Sequence, residues 1–413
     1  EISACLVGSE MCIRDSYIST LSTSVDSWII DGKKVQSTQK PTIVSSTLTW
    51  EKVTTLDLGL DARFFNDALG VTFDWYNRTT SDILTTANLP ATLGADAPYE
   101  NMGTIQTKGW ELAIDYRHTF KNGLHFGVTA SVADDKTEVT KWTYNTKIPS
   151  YGATGWWDKS AYKEGMVLGD IWGLQFDRFL TEDDFNADGS LKAGLPDQTK
   201  VFPAGYQFAP GDVLYKDLDN NGEIVKQTNT NDKGDLSVIG NALPRLQFGL
   251  NLDAAWKGFD ISMFFQGVAK RKLWAAGNQV LPGFTTGEPF YKGAEDYWTP
   301  ENTDAFYPRP MDYKQSASGN YSVNDRYLLN MAYLRLKTFT VGYSLPKVWL
   351  SKFKVQGLRV YFTGENLFTI DGVKPAIDPE IGIRTASGKS DQRNFGRSYP
   401  YQKTVSFGIQ LSL

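Results

Sequence analysis

Cysteine is almost missing from this sequence: only Cys5 and Cys12 occur, both within the first sixteen residues, EISACLVGSEMCIRDS. That stretch follows neither a helical nor a strand period. It begins with Glu1 where a signal peptide needs a basic region, and its apolar run from Ala4 to Gly8 is too short for one. It reads as translated adapter sequence, so residues 1–16 are set aside as a non-native extension, and the two thiols with them. Residues 17–413 then hold no cysteine, which fits export. Also missing is any run of about 18 apolar residues, which excludes a transmembrane helix. It leaves a membrane barrel open, because barrel strands are only about 10 residues long and half polar. There is no basic surplus either: 42 Lys and Arg stand against 47 Asp and Glu, a net charge of -5, so no cationic footprint invites nucleic acid. Histidine is scarce, and His118 and His125 flank one turn without converging on a site, reading as turn and girdle residues. With no Ser-His-Asp order, zinc spacing or phosphate loop, the sequence makes no case for an enzyme.

What is present is aromatic and turn-forming: 12 Trp, 20 Tyr, 23 Phe and 37 Gly, a composition that suits many strands joined by turns. The clearest stretch runs from Tyr333 to Phe368. Phe339, Val341, Tyr343 and Leu345 alternate with Thr338, Thr340, Gly342 and Ser344. After a reversal, Leu358, Val360 and Phe362 alternate with Arg359, Tyr361 and Thr363, so each strand has one apolar and one polar edge. Pro346, which has no N–H to donate, ends the first strand, and Lys347 to Phe353 suits one helical turn before Gly357. The polar side carries Arg335, Lys337, Arg359 and Glu365, charges that a packed core would have to pair or exclude. Two layouts meet that condition: a sheet with one wet face, or a barrel with lipid outside and water inside.

Seven further segments repeat the alternation. From about Leu48, the first places Leu56, Leu58, Leu60, Ala62 and Phe64 on one face, and the second Val71, Phe73 and Trp75. The third carries Trp110, Leu112, Ile114 and Tyr116, and the fourth Leu124, Phe126, Val128, Ala130 and Val132. The fifth has Leu246, Phe248, Leu250, Leu252, Ala254 and Trp256, and the sixth Phe259, Ile261, Met263 and Phe265; the ninth has Val405, Phe407, Ile409, Leu411 and Leu413. Tyr17 to Ser46 reads as a loop. Tight turns at Asn66 to Gly70, Lys121-Asn122-Gly123 and Lys257-Gly258 alternate with long connections at Asn77 to Thr104, Asp134 to Ala242 and Lys270 to Leu329. Within the second long connection, Val167 to Phe179 is apolar enough to pair as an extension above the main sheet.

Short and long connections in strict alternation are the asymmetry of outer-membrane barrels, with tight periplasmic turns and extended external loops. Nine strands are odd in number, and an open edge in lipid leaves backbone groups unpaired. The expected fold is therefore all-β, the antiparallel C-terminal part of an incomplete transmembrane barrel with long extracellular loops. The rival is a soluble or surface-exposed β-sandwich that binds or cleaves glycans. Sandwiches rarely put a long loop at every second connection, and no paired acid catalyst stands out among the 47 acidic residues.

A set of short motifs recurs in order from about Leu48 to the end. They are Trp50-Glu51-Lys52 with Gly59 and Asp61; Asn101, Gly103 and Lys108-Gly109-Trp110-Glu111; Asp217 to Ile224 with Gly240 and Pro244; and Phe259-Asp260 with Phe265-Gln266-Gly267. Then come Trp298-Thr299-Pro300-Glu301-Asn302 with Pro308-Arg309, Tyr333-Leu334-Arg335-Leu336-Lys337 with Gly342-Tyr343 and Leu345-Pro346, Arg359-Val360-Tyr361 with Asn366-Leu367-Phe368, and Asp378-Pro379-Glu380. In these the chain resembles the TonB-linked outer-membrane transporters of the SusC/RagA type. The resemblance implies a barrel of about 22 strands around a plug, of which 17–413 is the C-terminal part without the plug or the TonB-contacting segment. It also implies the cell outer membrane of a Gram-negative bacterium, with TonB and a SusD-like surface lipoprotein as partners and an oligosaccharide or peptide as cargo. The family often ends on an aromatic residue, whereas this chain ends on Leu413.

On that reading, aromatics in the excursions, Trp142, Tyr151, Trp156, Trp157, Tyr291 and Trp298, are candidates for contact with ligand or lipoprotein, since flat apolar faces with polar edges suit wet interfaces. Packing of the loops against one another is the alternative. Independently of any family, Asp217, Asp219, Asn221 and the Glu223 carbonyl, with Gly222 at the sharp turn, follow the first half of a Ca2+ loop. Thr228 stands where a bidentate Glu would be, leaving Asp232 or Asp235 to substitute. A turn capped by its own Asx side chains is the alternative.

Overall fold

The structure is a computed structural model that describes residues 23–38, 43–86, 97–143, 162–229, 232–275, 277, 279–284, 290–311, 319–350, 355–374, 377–380 and 401–412. Nine long strands carry it: β1 (Lys52–Phe64), β2 (Leu69–Thr86), β3 (Tyr99–Thr119), β4 (His125–Trp142), β5 (Arg245–Trp256), β6 (Phe259–Lys270), β7 (Tyr333–Ser344), β8 (Gly357–Glu365) and β9 (Thr404–Ser412). Each pairs antiparallel with its neighbour in the series, giving one meandering sheet from β1 to β9; Thr369–Asp371 adds a short piece beside β7. All nine match the segments expected from alternation. The barrel is not closed: β1 and β9 are the two edges of the sheet.

Register aligns the apolar sides into one continuous face. Leu60 lies opposite Phe73, Phe73 opposite Leu112, Leu112 opposite Val132 and Val132 opposite Phe248. At the other end Phe362 meets Phe407 with ring centroids 5.2 Å apart. In a soluble sandwich this face would be covered by a second sheet. Instead, Leu56 is 54% exposed and Ile409 74%, while Phe126 and Phe248 are covered only in part. Among the described residues no second layer packs on the face. Near the tight turns Phe64, Phe65, Phe120, Trp256, Phe259 and Trp349 are all exposed, the aromatic girdle of a bilayer interface. No helix among the described residues is long and apolar enough to cross a membrane.

Four expectations need correction. Tyr17 to Ser46 is not all loop: Thr23–Ile30 and Lys33–Thr38 form a hairpin turned by Asp31 and Gly32, both at positive φ. A register shift between Val25 and Ile29 breaks its period of two, which hid it. Asn77 to Thr104 is not one long connection, because β2 continues to Thr86 and β3 begins at Tyr99. Likewise β4 runs beyond Asp134 to Trp142. These extensions project past the apolar band, where both faces are wet or loop-covered, so alternation no longer marks them. Finally, the segment Val167 to Phe179 pairs mainly inside the loops: Asp170–Gly173 with Ser237–Asn241, and Phe176–Phe179 with Val213–Tyr215. One bridge, Glu138 to Val167, ties it to β4. The turn after Pro346 is helical over Lys347–Leu350, as expected.

The hydrophobic core lies beside the sheet, in the long connections. The described residues within 162–242 and 271–331 fold together on the long-loop side around two clusters. One contains Ile171, Trp274, Leu281, Tyr327 and Met331; the other contains Leu174, Val213, Tyr215, Ile224 and Trp298.

Candidate functional site: inner wall and loop body

The polar face of the sheet is wired by charge pairs that skip a strand. Arg63 on β1 reaches Asp115 on β3 at 2.7 Å, passing over Gly70 of β2. Arg359 on β8 reaches Asp260 on β6 at 2.5 Å, passing over Gly342 of β7. In each case glycine leaves the pair its room, since a Cβ at the middle position would overlap both charged groups as they lie and push them aside. Asp61 accepts from the Thr72 hydroxyl at 2.8 Å, and His125 lies 3.6 Å from Asp253. A concave hollow of about 530 Å³ is lined by Thr72, Asp74, Glu111, Ser131, Gln247 and Gln266 among others. Such a wall suits water and a polar cargo, and would be a poor core. The two histidines do not share a site: His118 packs on the apolar side between Tyr116 and Phe120, while His125 faces Asp253.

Higher on β7, Arg335 is 3% exposed and binds Asp378 at 2.7 Å and also Glu380. Lys337 adds a bond to Glu380 at 2.9 Å, the Tyr333 hydroxyl donates to the same carboxylate at 2.9 Å, and the Tyr401 amide donates to Asp378 at 3.1 Å. The Tyr401 ring lies over both cations, 5.2 Å from Arg335 and 4.6 Å from Lys337. The segment Asp378-Pro379-Glu380 is thus strapped onto the wall by two cations and two carboxylates. Asp378 is held below the usual carboxylate range by Arg335 and two backbone N–H donors, against the opposing effect of burial.

The loop body is knitted around Asp212, which is wholly buried. It accepts from Arg309 at 2.8 Å, from the Tyr206 hydroxyl at 2.8 Å, from Asn320 at 2.9 Å and from the Ala209 amide at 2.9 Å. Tyr206 and Asp212 come from one excursion, Arg309 and Asn320 from the other, so this carboxylate fixes the two together. Arg326 adds a stacked contact, 4.3 Å over the Phe176 ring and 5.0 Å over Phe179.

The candidate aromatics divide. Trp142 is 9% exposed and packs edge-on against Tyr162 at 4.9 Å, and Trp298 is 6% exposed within the loop core. Both indole N–H groups are buried without a hydrogen-bond partner among the described residues. Tyr291 is 38% exposed; Phe290 at 56% and Tyr297 at 40% lie in the same excursion and were not singled out in the sequence, where an isolated aromatic in a loop carries no period. Tyr151, Trp156 and Trp157 lie outside the described residues.

Asp217, Asp219, Asn221 and Glu223 form a tight turn. Gly222 donates to Asp217 at 2.8 Å, Asn221 donates to Asp219 at 3.1 Å through its backbone, and Glu223 donates to the Asn221 side chain at 2.8 Å. Asn220 and Gly222 both have positive φ. The Glu223 side chain is paired with Lys200. Of the two candidate substitutes for the missing glutamate, Asp235 reaches the turn: carboxylate oxygens of Asp217, Asp219 and Asp235 all lie within 4.8 Å of one another.

Residues 15–367 match the family described as TonB dependent receptor-like, beta-barrel. The chain is 27% identical over 395 residues to TonB-dependent receptor P3 of Formosa agariphila, covering 93% of this chain and 36% of that protein. It is 24% identical over 391 residues to TonB-dependent receptor SusC of Bacteroides thetaiotaomicron, covering 92% of this chain and 34% of that one. Among solved structures, the RagAB peptide transporter superposes with a TM-score of 0.66 at 21% identity, over 96% of this chain and 38% of the other, a likeness of fold. The chain therefore spans little more than a third of the length of these relatives.

Proposed function

Because the chain belongs to the TonB-dependent receptor-like β-barrel family, we propose that it forms wall and outer loops of an importer that takes an oligosaccharide or peptide across the outer membrane. Its place is the outer membrane, which it crosses with strands, and the family is one of transporters, not of enzymes. The observation that carries the reading is the two-solvent sheet: an apolar face on which no described residue packs as a second layer, a charge-paired polar face behind it, and a folded loop body on the long-loop side. A lumen of fixed dipoles and ion pairs lets a hydrated cargo pass without stripping its water.

In this proposal a SusD-like lipoprotein sits on the loop body and TonB supplies the work through a plug. The SusC and RagAB names of the relatives support that arrangement. Exposed Tyr291 contacts ligand or lipoprotein, as do Tyr151, Trp156 and Trp157, while Trp142 and Trp298 contribute through the loops they hold.

Deletion and complementation of the gene in its native host tests the reading, with uptake of labelled oligosaccharides and labelled peptides measured side by side. Loss of one class, restored by complementation, identifies the cargo. Undiminished uptake of both would overturn the import reading. Recovery of the tagged protein from mild detergent extracts without a stoichiometric surface lipoprotein would remove that partner.

A further inference from the structure

The turn at Asp217 is better explained as an ion site than as a self-capped turn. Two ligands on opposite sides of a Ca2+ ion with bonds of about 2.4 Å stand about 4.8 Å apart. The carboxylates of Asp217, Asp219 and Asp235 fall within that same limit of 4.8 Å. Carboxylates gathered so closely repel one another, and a cation among them removes that cost.

Two observations outside the turn's own hydrogen bonding point to a ligand. Asp235 comes from beyond the turn and is wholly buried. Its oxygens accept one backbone N–H each, from Leu218 and Val225 at 2.8 Å, which fixes the carboxylate but supplies no positive charge. The carboxylates that lie beside it are those of Asp219 and Asp217. A buried carboxylate facing two others needs a counter-ion. Separately, one Asp217 oxygen, Oδ1, is sealed from solvent and has no hydrogen-bond partner among the described residues, while Oδ2 is engaged by the Gly222 amide.

We propose that Asp217, Asp219 and Asp235 bind a single Ca2+ ion, with Asp235 taking the place that a glutamate at the end of the loop holds in an EF-hand. The donors are all oxygen, which favours Ca2+ or Mg2+ over a softer metal, and the D-x-D-x-N-G spacing of Asp217 to Gly222 is that of the first half of a Ca2+ loop. Asn221 is committed to the turn and the Glu223 side chain to Lys200, so Glu223 offers only its backbone carbonyl. The ion would tie the turn to Val213, Tyr215, Ile224 and Leu236 of the loop core. The site stands or falls independently of what the barrel imports.

The test uses the protein purified from outer membranes in detergent, stripped with EGTA and titrated with CaCl2 by calorimetry. Wild type is compared with Asp219→Asn, with Asp217→Asn/Asp219→Asn, and with Asp188→Asn, a control in an exposed turn. Asp219 is itself exposed, so its amide variant keeps the fold. The expected result is one Ca2+ site in wild type and in the control, weakened at least about tenfold in Asp219→Asn and absent in the double variant. Trypsin should cut within 216–236 faster in EGTA than in Ca2+ in wild type, and equally fast in the double variant. Equal stoichiometry and affinity in wild type and double variant, or proteolysis that ignores EGTA, would overturn the proposal.

Discussion

Placing one arginine on each face of β3 measures which solvent each face meets. Ile114 lies on the apolar face, opposite Val71 and Ala130. Its face runs along the strand from Trp110 to Tyr116 and ends at Phe120 just past the strand. Ten residues at about 3.4 Å each, tilted by about 45°, span about 24 Å of depth, the height of the apolar band of an outer-membrane barrel. Ile114 is four residues from Trp110, hence about 10 Å below it and near the midplane. Ile114→Arg should therefore destabilise by about 2–4 kcal/mol. Ala113 faces the other way, opposite Thr72 and Ser131, with Glu111 and Asp115 two residues to either side. An arginine there meets water and two carboxylates, so Ala113→Arg should change stability by less than about 0.5 kcal/mol. The assay is reversible urea unfolding in phospholipid vesicles, followed by tryptophan emission and by the heat-dependent gel shift of folded barrels. If Ala113→Arg costs as much as Ile114→Arg, the assignment of lipid and water to the two faces is wrong.

Gly342→Leu should destabilise about as much as Arg359→Met, and the two together should be clearly less than additive, because both remove the Arg359–Asp260 pair; a double-mutant cycle reads this directly. Arg335→Met leaves Asp378 and Glu380 buried with Lys337 as their one cation among the described residues, and should loosen residues 377–380 and 401–403 at a local cost of about 3–5 kcal/mol, read by hydrogen exchange on those residues. Asp184 accepts both guanidinium nitrogens of Arg178, at 2.6 and 2.7 Å, which holds its carboxyl at about 2, below the ordinary 3.8. A lowered carboxyl stabilises above its unfolded value, so protection of residues 181–192 should hold above pH 3.8 and be lost as pH falls towards about 2, a dependence that Asp184→Asn abolishes.

Much of the sheet was legible because a strand between two solvents records them locally. Leu250, Leu252 and Ala254 against Gln247, Asn251 and Asp253 need no knowledge of the neighbouring strands. The tight turns were legible for the same reason: Lys257-Gly258 adopts the positive φ that such a turn demands. Where the environment stops alternating, legibility stops. Asn77 to Thr86 is strand, yet a positive φ at Asp82 and register shifts around Ile83 scramble its faces. The candidate site was half legible. The Asp217 turn announced itself by spacing, but the acid that comes within reach of it was one of two named, and Trp142 and Trp298 carry no local sign that loop cores enclose them.

By itself, then, the sequence determined where the nine long strands cross the apolar band, which edge of each is apolar there, and the alternation of tight turns with longer connections, since these follow from repeats two residues apart and from the turn residues between them. Tertiary structure alone decided that Arg63 meets Asp115 across Gly70, that Asp212 joins Arg309 and Asn320, and that Asp235 turns towards Asp217 and Asp219. Those encounters depend on where a long connection returns, and an ion pair or carboxylate cluster closed over such distances leaves no periodic trace in the chain.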